Sequence, residues 1–358
     1  MRSIKRAGRR TSAVVAGFVL VAFSAAPALA CGGLIGPNGA VNLLRTTTLA
    51  GYHDGQEHYV TSFEFAGGGG AFGSLTPLPG IPTSVEKGGD WTLQRLRLET
   101  DPVAENAFLF AAGAAASRDS AEVLMEVTID ALDITVLRGG ADEVGQWATD
   151  HGFRLPPDAP EVLEFYAARS EIFLAAAFDG EAAAERGQQV GDGTAVHITI
   201  PTDNPWVPLR ILALGKTGAE RIEADVYLVT DQAPALLPAP DGLNGMTLDH
   251  SAAASDGLLA DLRSDRGMEW VPASAWLTKV AIDADAPQIG FDLAIDASGA
   301  GSPSRVAAGL DLPGAADPTI ASTVRWALGM AFIVLGIGGI MVLVRHQPRG
   351  TGSGMRPA

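Results

Sequence analysis

Three places in this chain of 358 residues bring together residue types that could do chemistry. His53, Asp54, Glu57 and His58 stand at His-Asp-x-x-Glu-His spacing. On a helix the two imidazoles would share one face and, with a carboxylate, could hold zinc. Gly51, Gly55 and the alternating stretch that follows argue for a turn and a strand instead. His53 and His58 are the only candidate metal ligands; the cluster reads as a solvated polar turn, and no metal is assigned. Ser84-Val85-Glu86-Lys87 followed by Lys216-Thr217-Gly218 matches the S-x-x-K and K-T-G pair of penicillin-recognising enzymes. That chemistry needs the serine at the start of a buried helix, with the lysine one turn on. Here Ser84 sits in a Pro/Gly-rich stretch expected to be a loop, Lys216 falls in a turn, and no S-D-N or Y-x-N triplet lies between. Gly68, Gly70 and Gly73 fit a dinucleotide fingerprint, but Pro77, Pro79 and Pro82 follow where its helix must begin. His151, His197 and His250 are isolated in sequence, and no G-x-S-x-G elbow exists. A triad assembled in space stays open. No catalytic residue and no cofactor is assigned.

These groups must be positioned by a body that reads as α+β, with largely antiparallel sheets and interspersed short helices. Glu57–Ala66 alternates, with Tyr59, Thr61, Phe63 and Phe65 on one face and His58, Val60, Ser62 and Glu64 on the other. That is the period of a half-buried strand, which a glycine turn at 67–70 would join to Phe72–Leu78 as a hairpin. Asp90 is placed to cap a short helix carrying Leu93 and Leu96. Val123–Ile129 and Leu132–Val136 alternate as two strands or one long bent one. Ala141–His151 reads as a helix ended by Gly152, and a second helix runs from Asp158 to Ala168 with Pro160 in its first turn. Strands are expected at Ile172–Phe178, Val196–Ile200, Val207–Leu214, Ile222–Val229, Trp276–Ile282 and Ile289–Ile295, with a short helix near Leu258–Leu262. The Pro/Gly/Ala-rich stretch 232–256 reads as a loop and a possible subdivision.

Charge and hydropathy at the two ends say where such a body would live. Of the 25 basic residues, five lie in residues 1–30 and four in 321–358, and neither end has an acid, so all 41 acids fall on the body between them. A body this acidic is a poor partner for nucleic acid. A single cysteine excludes an internal disulfide framework and any multi-Cys metal site. Residues 1–30 have the basic, apolar and small-residue parts of a secretory signal, with cleavage expected between Ala30 and Cys31. Trp326 to Val344 is an uncharged run long enough to span a bilayer, flanked by Arg325 and by Arg345, Arg349 and Arg356. The positive-inside rule puts its C-terminus in the cytoplasm. The organisation is then a signal (1–30), an extracytoplasmic domain (31–297), a Gly/Ser/Pro-rich flexible stalk (298–320), a C-terminal transmembrane helix (321–345) and a short tail (346–358). Cys31 is also where a lipid anchor would attach.

Four motifs in order, Cys31-Gly32-Gly33, Phe72-Gly73-Ser74-Leu75-Thr76-Pro77-Leu78-Pro79, Trp147 with His151-Gly152-Phe153-Arg154-Leu155-Pro156, and Pro205-Trp206-Val207-Pro208-Leu209-Arg210, resemble the bacterial domain-of-unknown-function family 2330. The resemblance implies a secreted or membrane-anchored protein of unassigned role and supplies no catalytic residues. Read by themselves, Trp147 and Phe153 pack at a fold-specifying corner, and Trp206 is a buried wedge. The expectation is a non-catalytic cell-surface module, anchored through its C-terminal helix and binding a surface protein or envelope component. An extracytoplasmic hydrolase with a spatially assembled site is the alternative.

Overall fold

The computed structural model describes residues 28–29, 33–37, 39–40, 45–64, 72–101, 122–185, 193–218 and 220–311. Ala30, Cys31, the glycine run 65–71, the apolar stretch 321–345 and the tail 346–358 lie outside them. Among the described residues, no helix is long and apolar enough to cross a membrane. The chain is mostly β-sheet with a few short helices: α1 (Thr92–Thr100), α2 (Ala141–Asp150), α3 (Ala159–Ala167), α4 (Gly180–Glu185) and α5 (Asp256–Ser264).

The large sheet runs in the order Met246–Ala253, Trp276–Asp285, Arg221–Thr230, Arg45–His53, Gln56–Glu64, Gly193–Pro201, Ser84–Lys87. Ala28–Leu29 pairs in parallel with Arg45 and Thr46, a contact that cleavage after Ala30 would remove. Apart from this and the parallel pair Arg221–Thr230/Arg45–His53, the pairings are antiparallel. A second sheet has the order Gly39–Ala40, Gly33–Gly36, Phe72–Leu78, Ile172–Phe178, Leu132–Arg138, Glu122–Ile129, and a small third one the order Trp206–Val207, Leu293–Asp296, Ala235–Leu237.

Alternation along the strands of the large sheet builds two cores. Ala50, Tyr59, Val196, Ile198 and Val226 face the other two sheets. Leu49, Val60, Tyr227 and Val229 face α1 and α5 through Leu96, Leu258 and Leu262. Gln56–Glu64 is thus covered on both sides where a half-buried strand was expected: Glu57 and Val60, on opposite faces, are both 0 % exposed.

Several expectations need correction. Phe72–Leu78 forms no hairpin with Gln56–Glu64; it crosses to the second sheet and pairs with Ile172–Phe178 and Gly33–Gly36. Ser84–Lys87 is an edge strand, where a loop was expected. Beyond Trp206–Val207 the chain makes a 3-10 turn at Arg210–Ala213 and no strand. The stretch 232–256 supplies two strands, and those on either side of it, Arg221–Thr230 and Trp276–Asp285, pair directly. At the start of the expected stalk, Ser304–Asp311 coil back on the domain: Arg169 donates to the Ala307 carbonyl at 2.6 Å, and Ala308 is buried.

The corner expected to specify the fold does so. Gly152 takes φ +75° after α2. Trp147 is 1 % exposed, stacks on His151 at 4.5 Å and lies 5.9 Å from Phe153. Phe153 lies over Gly73, where a Cβ would approach within 2.9 Å of the ring. Trp206 is also buried, 5.8 Å from Tyr166 and beneath the Arg169 guanidinium at 4.3 Å. Arg169 pairs with Asp292, which also accepts the amides of Leu209 at 2.6 Å and Arg210 at 2.9 Å and the Tyr166 hydroxyl at 3.0 Å. These two motifs hold elements together.

Candidate functional site

Four neighbouring strands of the large sheet place Gly51, His58, His197 and Glu86 in a row on the face toward α1 and α5. The registers put Gly51 opposite His58 and His197 opposite Glu86. His58 and His197 are diagonal neighbours, since His58 pairs with Thr199. His58 Nδ1 and His197 Nε2 are 3.0 Å apart and buried. At the far side of His197, Nδ1 lies 3.7 Å from Glu86 Oε1 and has no hydrogen-bond partner among the described residues. The Thr199 hydroxyl is 3.5 Å from His197 Nε2.

Trp270 roofs this row. Its ring lies parallel to His58, at an interplanar angle of 1° and a centroid distance of 4.0 Å, and 6.4 Å from His197. The roof rests on the sheet only because position 51 is glycine: a Cβ there would sit 2.0 Å from the indole. Asp265 carries the roof. Its buried carboxylate accepts the amides of Asp90 at 3.1 Å and Trp91 at 3.0 Å and the Thr92 hydroxyl at 2.7 Å. It thereby holds the chain at the entry to α1, bonding Thr92 from 173 residues away. Asp90 was expected to do this, but the residue preceding the helix is Trp91, with no side-chain cap of its own. The same turn returns Arg266 O to Gly89 N–H at 2.9 Å and leads through Gly267, at φ +69°, to Trp270.

Burial sets the electrostatics. Desolvation drives the His58 pKa down to about 3, with smaller contributions from His197 and His53, and lowers that of His197 against the pull of Glu86 and Glu269. Both imidazoles are neutral at pH 7, so one donates to the other. On the opposite face, neither carboxylate oxygen of Glu57 has a hydrogen bond among the described residues. Burial raises its pKa to about 8; the Trp206 backbone favours the carboxylate, at a geometry short of a hydrogen bond.

The expected metal cluster is not one group. His53 turns to Asp231 at 2.7 Å and Asp54 at 3.4 Å, while His58 meets His197. Asp54 and Gly55 form the turn between their strands, both at positive φ. Among the described residues, no three His, Cys, Asp or Glu side chains stand close enough to hold an ion as they are. Lys87 is committed to Asp130 at 2.6 Å, away from Ser84 chemistry, and Lys216 lies in a turn after the 3-10 segment. His151 Nδ1 donates to the Trp147 carbonyl at 2.8 Å, and His250 lies on the edge strand Met246–Ala253. Sequence reasoning passed over His197, Glu86 and Trp270. One signal was present: His197 lies between Val196 and Ile198, so period two turns its imidazole to the face opposite them.

A family model described as an uncharacterized protein conserved in bacteria (DUF2330) matches residues 25–296. No curated protein matches. Two crystal structures of the baculovirus p35 protein are distantly similar. The form mutated and cleaved by caspase is 7% identical, with TM-score 0.36 over 72% of this chain and 98% of that one. A second structure of baculovirus p35 is 9% identical, with TM-score 0.34 over 71% of this chain and 91% of that one.

Proposed function

The chain belongs to the DUF2330 family of uncharacterized proteins conserved in bacteria, and on that premise we propose that it is a membrane-anchored extracytoplasmic module that binds a surface protein or envelope component without catalysing a reaction. The signal-like residues 1–30, the uncharged run from Trp326 to Val344 and the arginines beyond it support the anchoring. The observation that carries the non-catalytic reading is the roofed imidazole pair. The side chains best suited to proton transfer are buried, neutral and bonded to each other under Trp270. A general base must reach the proton it removes. Protease added to intact cells should remove the body and spare a tag after Ala358; digestion of that tag from outside refutes the topology. Membrane extracts passed over the immobilised body should yield a saturable, specific partner, and its absence refutes the binding reading.

The hydrolase alternative draws on one arrangement, the line Thr199 Oγ1, His197, Glu86, which has the order of a hydroxyl–imidazole–carboxylate triad. Within it, His58 already holds the nitrogen that would serve Thr199. Covalent labelling of Thr199 by a fluorophosphonate would establish that reading in place of the first.

A further inference from the structure

We propose that His197 Nδ1, Glu86 and Glu269 bind one divalent transition-metal ion of the zinc class at the Glu86 end of the imidazole row. The inference does not depend on where the chain is anchored or on its partner.

The buried nitrogen comes first. His197 is 3% exposed, and its Nδ1 ends without a hydrogen bond, facing a carboxylate. With the proton on Nε2, donated to His58 Nδ1, His197 offers an outward lone pair at Nδ1. A metal-ligating histidine almost always has this form: its other ring N–H is held by an acceptor that fixes tautomer and ring orientation. Here the acceptor is itself immobilised by the Trp270 stack. The separation fits as well. Two donors 3.7 Å apart accommodate an ion about 2.1 Å from each, at an angle of roughly 124°, within the range zinc accepts when four- or five-coordinate.

Glu86 faces Nδ1 directly, and Glu269 stands on the turn between Gly267, which passes beside Nδ1, and Trp270, the roof of the row; the charge of both carboxylates is felt at His197. Both are exposed. One neutral imidazole and two carboxylates neutralise a dication, and this mixed nitrogen–oxygen set suits zinc and its neighbours better than calcium. Nδ1 is covered as it stands, and the backbone packs closely around His197 at two glycines. A Cβ at Gly267 would stand 3.4 Å from Nδ1, and one at Gly88 would stand 2.6 Å from the His197 Cβ. Because the three donors are not gathered as they stand, the ion draws in the exposed Glu269 side chain and orders it.

The full chain in detergent, stripped with chelator, is titrated with zinc against a chromophoric chelator. One ion per chain is expected. Glu86→Gln and Glu269→Gln should each weaken it by roughly tenfold or more, with the near-ultraviolet dichroism of wild type, and zinc should shift the His197 Nδ1 resonance in nitrogen NMR. His53→Ala should bind as wild type. The proposal is overturned by a wild-type chain that takes up no stoichiometric zinc, by undiminished binding in both glutamine variants, by a Nδ1 resonance that zinc leaves unmoved, or by loss of binding in His53→Ala.

Discussion

Replacing Glu57 by glutamine should stabilise this protein at alkaline pH and change little in acid. Glu57 is 0 % exposed with both oxygens unbonded, and its pKa rises from 4.5 to about 8 because the carboxylate is desolvated. In the unfolded chain it titrates near the ordinary value. Below pH 4.5 both states carry the proton, and the group contributes no penalty. Between pH 4.5 and 8 the unfolded state releases its proton while the native state retains it, so stability falls by about 1.4 kcal/mol per pH unit. Above pH 8 the loss is complete. A window of 3.5 units gives roughly 4–5 kcal/mol, since one unit is worth about 1.4. Glutamine has the same shape and no charge, so its cost of burial does not vary with pH. The assay is urea unfolding of wild type and Glu57→Gln at pH 4, 6, 8 and 9. Taking the difference between the two curves removes every other titrating group, provided none is coupled to Glu57. The two should be close at pH 4 and diverge steadily, with the variant the more stable by several kcal/mol at pH 9. A difference independent of pH would mean that Glu57 ionises freely in the native state, and the reasoning from burial fails.

Three further outcomes test the packing. Trp147→Ala removes an indole that is 1 % exposed at the corner after α2; it should cost on the order of 3–5 kcal/mol, read as a lower melting temperature, and an unchanged midpoint would place Trp147 at the surface. Gly51→Ala sets a methyl 2.0 Å from the Trp270 ring and should lift the roof, costing about 1–3 kcal/mol and shifting Trp270 emission to the red; emission unchanged relative to wild type refutes the contact. Asp292→Asn leaves the buried Arg169 guanidinium without its counter-ion and should cost about 3–5 kcal/mol, whereas a loss below 1 would show the pair to be solvated.

What the sequence disclosed was whatever a local period or a local backbone constraint encodes. Ile172–Phe178 and the alternating stretches Glu122–Ile129 and Leu132–Arg138 were legible as strand, though not that the last two pair as a hairpin, and α2 ends where Gly152 permits a positive φ. α3 begins at Asp158 with proline in its first turn, again a local signal. What stayed hidden is pairing at a distance. The partner of Phe72–Leu78 lies about 100 residues on, so adjacency in sequence suggested the wrong hairpin. The entry to α1 is held by Asp265, and no property of Asp90 could reveal that a carboxylate would arrive from elsewhere to bond Trp91 and Thr92. The candidate site failed to show for the same reason. Its row is drawn from positions 51, 58, 197 and 86: the first two share a hairpin, but the strands that carry His197 and Glu86 reach it only through sheet order. His53 and His58, adjacent in sequence, share a face but have different partners.

The distribution of buried polar groups suggests why the Gln56–Glu64 strand matters more than its neighbours. Elsewhere the buried charges are compensated: Asp292 by Arg169 and three other donors, Lys279 by Asp101 at 2.6 Å with Asp225 and Asp249 beyond. Such groups tie elements together, and their energetic cost is offset where they stand. On the Gln56–Glu64 strand two successive residues, Glu57 and His58, are buried on opposite faces, and no opposite charge among the described residues is bonded to either. Burial penalises the charged form of each, Glu57 as the pH rises and His58 as it falls. A leucine and a phenylalanine would fill the same space without that cost, and stability alone would favour them. Consistency between pattern and fold breaks chiefly at functional sites. The His58 side of this strand leads directly to the buried, unbonded nitrogen of His197, and the break therefore points to the roofed row rather than to the well-compensated pairs at Asp292 or Lys279.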